Sequence, residues 1–254
     1  MFAVLHIADF ALHAVLRTEA DPANRPAALF SDHGKKSLVL AANPAARAAG
    51  VTPGLTAPQA VARCPRLVIR APSPRAEAEA RATLLAVGLT LSPIIEDTAP
   101  GICTIDLKGA DLPACHARGR HAAAELQRHG LPGTAGLART PLLALYAARA
   151  ADHFLAVTDE KNFLAPLPLA AADPPPDLAG VLAHWGLRTL GDLTALPRDE
   201  IIRRFGAAGL ALWQRATGGE PRPLRPVAPP RDFSAALEFE EAIETLEPLL
   251  FILR

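Results

Sequence analysis

The order of the short apolar runs constrains this chain more than any other property. Phe2-Ala3-Val4-Leu5-His6-Ile7-Ala8 reads as a buried strand running into a turn or helix at 9–17. A block of small elements follows. Pro26-Ala27-Ala28-Leu29-Phe30-Ser31-Asp32 and Ser37-Leu38-Val39-Leu40-Ala41 read as two strands around His33-Gly34-Lys35-Lys36, which is hairpin punctuation. Asn43 is placed to cap a short helix with Pro44 at its first position and Gly50 at its end, and Thr56 to cap another that stops at Cys64-Pro65. Leu67-Val68-Ile69 is a further short strand. From Pro74 the pattern becomes an Ala-rich helix over 75–87, strands at 94–96 and 102–107 around Ala99-Pro100-Gly101, a helix over 113–129, a strand at 134–138 and a helix over 141–151. Strand, insert, helix, strand, strand, helix, strand is the β-α-β-β-α-β order of a split βαβ, ferredoxin-like sheet carrying a small α/β insert, so the expected class is α+β.

The remainder reads differently. Ala172-Asp173-Pro174-Pro175-Pro176-Asp177 predicts a stiff, extended linker, since consecutive prolines favour polyproline II. Four short helical segments are expected at 178–184, 190–195, 198–205 and 207–217, then a Pro/Arg linker over 221–231, a strand at 233–239 and a helix over 241–254. That last helix keeps Leu246, Leu249, Leu250 and Leu253 on one face and reaches Arg254 without a cap. A lone strand and helix cannot bury such a face, so a domain cut short is expected there.

Composition excludes several classes. Half of the residues are hydrophobic and 20% are charged, which rules out a disordered chain. No apolar run approaches the roughly 20 residues of a membrane span, and the start lacks the basic region of a secretory signal. Cys64, Cys103 and Cys115 form no CxxC pair, which suits a reducing, cytoplasmic setting. Net charge is +0, yet 22 of the 26 cations are arginine, the residue that pairs bidentately with phosphate. Cys115, His116, His121 and His129 share one expected helix at a spacing that does not gather ligands on one turn, so neither metal nor cofactor is expected. Ser31-Asp32-His33 is a local coincidence, because triad members usually lie far apart in sequence. Glu96 and Asp97 would face opposite ways on a strand. Trp185 and Trp213, at helical spacing among leucines, are expected in the core.

The sharpest local signal is Leu182-Ala183-His184-Trp185-Gly186-Leu187-Arg188-Thr189-Leu190-Gly191-Asp192-Leu193. One helix ends at a glycine and a second starts at a Thr cap. Such a helix-hairpin-helix turn can offer backbone N–H groups and a helix dipole to a phosphate without reading sequence. Gly186, Leu187, Arg188, Thr189 and Gly191 are the candidates, with Arg188 adding a charge-assisted contact. An ordinary αα-hairpin packed on its neighbours is the alternative.

Taken in order, an opening strand ending His6-Ile7-Ala8-Asp9, an insert carrying Ala46-Arg47-Ala48-Ala49-Gly50-Val51-Thr52-Pro53-Gly54, a split βαβ body, a helix-hairpin-helix lobe and a basic linker resemble a Y-family (translesion) DNA polymerase. Ala62-Arg63-Cys64-Pro65-Arg66-Leu67, Gly136-Leu137-Ala138-Arg139-Thr140-Pro141 and Leu196-Pro197-Arg198…Arg204-Phe205-Gly206 look most like its ImuB-type branch. The resemblance implies a palm (1–9 and 74–165), fingers (10–73), a thumb (166–222), and over 223–254 a linker and the start of a truncated little finger.

Two-metal phosphoryl transfer needs clamping carboxylates. Against the family's motifs, Ala8 and Phe10 stand where aspartates belong at the end of the first strand, and Gly101 and Ile102 where an Asp-Glu pair belongs. Asp9 is one residue out of register, and Asp106 matches a family aspartate that is not a ligand. Arg47 matches the phosphate-binding arginine of the fingers, but its tyrosine partner is Pro44. Leu145 replaces a triphosphate-contacting lysine, and His13 takes the bulky aromatic position. The resemblance therefore implies a non-catalytic adaptor in DNA-damage-induced mutagenesis, with Arg47 vestigial and Ala8, Gly101 and Ile102 as lost positions. It would bind primer–template DNA weakly through the hairpin turn and Arg222, Arg225 and Arg231. Implied partners are a RecA-like accessory protein, an error-prone replicative-type polymerase and the sliding clamp, acting at the nucleoid after damage. The other expectation is an active polymerase with relocated carboxylates at Asp9, Asp97 or Asp106.

Overall fold

The computed structural model describes residues 1–19, 25–31 and 37–228. The expected strand at 233–239, the helix over 241–254 and Arg231 lie outside the described residues. In chain order, β1 (Phe2–Ile7) is followed by α1 (Phe10–Leu16), β2 (Ala27–Phe30), β3 (Val39–Ala42), α2 (Pro44–Ala48), α3 (Ala57–Arg63) and β4 (Val68–Arg70). Next come α4 (Pro74–Leu89), β5 (Ile95–Ala99), β6 (Ile102–Asp106), α5 (Leu112–Arg128), β7 (Gly133–Ala138), α6 (Pro141–Ala150) and β8 (Phe154–Ala156). α7 (Glu160–Leu164), a 3-10 turn at Leu169–Ala172, α8 (Pro176–His184), α9 (Leu190–Thr194) and α10 (Arg198–Ala216) complete the described chain.

The strands form two sheets in a mixed α+β arrangement. The first has the order β5-β6-β1-β7-β8. β1 runs antiparallel to both β6 and β7, and β5 antiparallel to β6, which is the split βαβ order. β8, which the pattern of apolar runs does not announce, adds to β7 in parallel. The central position of β1 explains its unbroken apolar run. Ala3, Leu5 and Ile7 face the core under α4 and α5, whereas Phe2 and Val4 face α6. Buried on both faces, the strand has no side to leave polar.

The second sheet, β3-β2-β4, is built from the insert, with β2 antiparallel to β3 and parallel to β4. α1 covers one face through Leu12 and Leu16 against Ala27 and Leu29, and α2 and α3 cover the other through Ala46 and Ala60. Asn43 is fully buried and fixes this corner. Its Oδ1 accepts from Ala46 N at 2.9 Å and Ala27 N at 3.0 Å, while its Nδ2 donates to Arg25 O at 2.7 Å. It thus caps α2 and ties it to β2.

The C-terminal helices share a core with α6: Leu143 and Ala144 pack in one cluster with Leu169, Leu182, Leu193, Ile201 and Leu212. The stretch at 172–177 is therefore not the expected extended spacer. Ala172 is buried, Asp173 adopts φ 47°, and the Arg215 guanidinium donates to Ala172 O at 2.7 Å and Asp173 O at 3.2 Å. The prolines instead start α8. α10 contains both of the last two expected helices, joined across a break at Gly206 (φ 57°, ψ −140°). Among the described residues no helix is long and apolar enough to cross a membrane.

Candidate active site and nucleic-acid interface

Where β1 ends, its partners bring together every position at which the family pattern asks for a carboxylate. Ala8 is exposed, Ile102 is 9% exposed in the α6-side core, and Gly101 is buried. Gly101 (φ 75°) accepts from Ile7 N at 2.8 Å, and a Cβ there would meet Ile7 O at 2.6 Å and Phe10 Cβ at 2.8 Å. No side chain fits that position in this arrangement.

The carboxylates that remain are engaged elsewhere. Asp9 opens α1 in the left-handed region (φ 46°), and its Oδ2 accepts from Arg47 Nη2 of α2 at 2.7 Å. The arginine matched to phosphate binding is thus held by an internal carboxylate, across from one sheet to the other. Asp97 accepts from Arg81 Nε. Asp106 accepts from Lys108 N at 2.9 Å and pairs with Phe2, at the opposite end of β1 from His6 and Ile102. Glu96 and Asp97 do face opposite ways. Glu96 is 7% exposed and receives Arg222 in a two-pronged pair (2.5 and 2.8 Å) as well as Arg225 N at 2.7 Å. Hydrogen bonding from the Arg222 guanidinium, more than any other neighbour, holds its pKa down to about 2.

Two histidines border this end. His6 is pulled down to about 4, chiefly by burial and then by Arg149. His13 is lowered by burial, with Asp9 opposing and Arg47 reinforcing. Leu145 packs into the α6-side core, and Pro44 is the first residue of α2. Among the described residues, no three His, Cys, Asp or Glu side chains come together as a metal site. A pair of Mg²⁺ ions does not fit the side chains at the end of β1 in this arrangement. Cys115 is buried, His116 lies against Phe154 with centroids 5.7 Å apart, and His129 Nε2 sits 3.3 Å from Glu125 Oε1.

The hairpin turn between α8 and α9 has the expected shape but not the expected free amides. Gly186 N and Leu187 N donate to Ala183 O and Leu182 O, both at 3.0 Å. Arg188 N and Thr189 N both donate to Asp192 Oδ2 at 2.9 Å, and Asp192 N to Thr189 Oγ1 at 3.1 Å. Leu190 N and Gly191 N reach Leu167 O and Ala165 O. A carboxylate already sits where a phosphate would, and the backbone bonds it accepts lower the pKa of Asp192. The T-x-x-D spacing of a reciprocal cap signals this in the sequence. Contacts to DNA there would fall to side chains such as the exposed Arg188.

The second arginine stretch is likewise committed in part. Arg222 pairs with Glu96, Arg225 gives its backbone N–H to the same carboxylate, and Val227 N donates to Ile95 O at 2.9 Å. Residues 222–227 thus run along β5, the edge of the first sheet, and cover it. The side chain of Arg225 is exposed as expected and is free of the Glu96 pair that engages Arg222. Trp185 is not core: it is 42% exposed.

The profile of the impB/mucB/samB family matches residues 6–149. The chain is 26% identical to a protein named DNA polymerase IV 1 from Mesorhizobium japonicum, over 98% of this chain and 59% of that one. It is 25% identical to DNA polymerase IV of Yersinia pestis, over 88% of this chain and 66% of the relative. It spans about six-tenths to two-thirds of the length of these relatives. Among solved structures it shares its fold with DinB from Sulfolobus solfataricus (TM-score 0.74, 18% identity, 87% of this chain and 69% of that one). The insertion ternary complex of Dbh DNA polymerase is similar to the same degree (TM-score 0.75, 18% identity, 88% of this chain and 69% of that one). These findings overturn the expectation that the chain is not an enzyme, because the relatives and the structural neighbours carry the names of DNA polymerases. Ala8, Gly101 and Ile102 are departures from a pattern inside a polymerase family, and their side chains alone do not exclude activity.

Proposed function

Because this chain belongs to the impB/mucB/samB family and is a Y-family polymerase-like protein, we propose that it works on primer–template DNA in the bypass of damage. The first sheet with its helices (1–9 and 74–165) is the palm, the insert (10–73) the fingers, and the helical region (166–222) the thumb. The observation that carries this reading is the alignment with DNA polymerase IV over 98% of the chain. Arg188 and the outward Arg225 serve as phosphate contacts, and Arg231 is assigned with them from its sequence context. Recruitment of a RecA-like accessory protein, an error-prone replicative-type polymerase and the sliding clamp belongs to the same proposal, which rests on motif resemblance.

Templated nucleotide addition is the reaction this reading implies. The carboxylates at hand are Asp9, Asp97 and Asp106, and of these Asp9 is the one at the end of β1 that faces the fingers. It has to leave Arg47 before it can act, and Arg47 is then open to a triphosphate. A primer-extension assay with Mg²⁺ or Mn²⁺ and all four dNTPs tests the reaction. Extension that is lost in Asp9→Asn supports it, whereas no extension with DNA demonstrably bound removes catalysis from the proposal. Fluorescence anisotropy on primer–template DNA tests the binding step, and Arg188→Glu is expected to weaken it at low salt.

A further inference from the structure

Trp185 is the aromatic side chain that internal packing leaves open among the described residues. It ends α8, and Gly186 (φ 80°) turns the backbone away directly after it. The indole lies against Phe205 in a tilted pair, with ring centroids 5.3 Å apart and planes at 46°. The guanidinium carbon of Arg204 lies over the indole, 5.1 Å from the ring centroid. Trp185, Leu196, Glu200, Ile201 and Arg204 line a cleft of about 200 Å³. Val181, one turn earlier on α8, is exposed as well.

An indole is large and apolar, and burying it would stabilise the fold; here it is held at the surface by a second ring and a cation. A fixed indole, 42% exposed and with an arginine over part of it, matches what an unpaired nucleobase and its phosphate require. The base stacks on the ring and the guanidinium pairs with the backbone. Glu200 disfavours a bare phosphate within the cleft, whereas its carboxylate can accept from the amino group of a base. We propose that Trp185 and Arg204 form a stacking platform for an unpaired base of single-stranded DNA, beside the α8–α9 turn. The proposal rests on the DNA-binding reading above and adds the kind of DNA and the residue that senses it.

The chain has two tryptophans, so Trp213→Phe leaves Trp185 as the sole indole. The Trp213 Nε1 has no hydrogen-bond partner, so this change removes no such bond. Titrating that variant with a labelled single-stranded oligonucleotide gives two readouts, indole emission and anisotropy. Quenching that saturates together with the anisotropy is expected. Trp185→Ala should weaken single-strand binding by about ten- to a hundredfold, as removal of one base–aromatic stack does. Trp185→Phe should keep most of the affinity, and binding of a blunt duplex should change little. If the oligonucleotide binds without quenching, or binds Trp185→Ala as tightly, the platform is refuted while DNA binding stands, and the face passes to a protein contact. If no nucleic acid binds the unaltered chain at low salt, the DNA reading itself fails.

Discussion

Gly136 lies on β7 where α6 crosses so closely that a Cβ would meet Ala144 O at 2.1 Å and Ala148 N at 2.2 Å. Both are backbone atoms, which cannot rotate aside. Gly136→Ala is therefore expected to cost about 3 kcal/mol or more, read as a lower urea midpoint at unchanged slope or as failure to fold. The strand carrying Gly136 and the helix over 141–151 were both legible, but their close approach was not, since it leaves no mark on hydropathy. Two titrating residues belong to the same scale. His6 has a folded pKa of about 4 against an ordinary 6.5, so between those values the unfolded chain holds a proton that the native one refuses. Glu96, at about 2 against 4.5, does the same in a lower window. Stability should thus fall as pH drops from 6.5 to 4 and again from 4.5 to 2. Thermal midpoints across pH test this: His6→Gln should flatten the upper window and Glu96→Gln the lower.

At the scale of elements, end signals were read well. Asn43, Thr56 and Thr189 each begin a helix where a capping residue predicts one. The break at Gly206 was legible too, as a boundary between two expected helices. What the pattern could not show is that both halves run on in one element, α10, with Gly206 (φ 57°, ψ −140°) as its joint. A Cβ on Gly206 meets nothing within 4 Å, so Gly206→Ala should act through backbone strain alone. A loss of about 1–3 kcal/mol in chemical denaturation is expected. The strap at 222–227 carries the opposite lesson. Its arginines looked like phosphate contacts, whereas Arg222 closes on Glu96, which lies 126 residues earlier in the chain. Arg222→Ala leaves a buried carboxylate unpaired. Because the Arg222 side chain is 46% exposed, the expected cost is about 1–3 kcal/mol, below that of a fully buried pair. Faster amide exchange at Arg225 and Val227 would accompany it.

For the molecule as a whole, the C-terminal helices and the first sheet share one core through α6. They should unfold together, in a single calorimetric transition. The Asp9–Arg47 pair bridges the two sheets at the surface, with side chains 24% and 49% exposed. Asp9→Ala should therefore change stability by less than about 1 kcal/mol and leave that single transition in place. On primer–template DNA, removal of a phosphate contact at Arg188 is expected to lower the slope of log affinity against log salt by about 0.7–0.9.

The element order, the split βαβ body, the inserted sheet and the helix starts could be read from local chemistry, because apolar period and capping act over a few residues. Ala8, Gly101 and Ile102 were singled out by motif resemblance, and it is the pairing of β1 with β6 that brings them to one end of β1. Pairings between distant charges were out of reach of a local reading. That Asp9 holds Arg47 and that Glu96 captures Arg222 depends on side chains meeting in space. An arginine looks the same in sequence whether it faces a phosphate or a carboxylate of its own chain. Folding settles which, since the buried carboxylate binds the nearest cation that satisfies it.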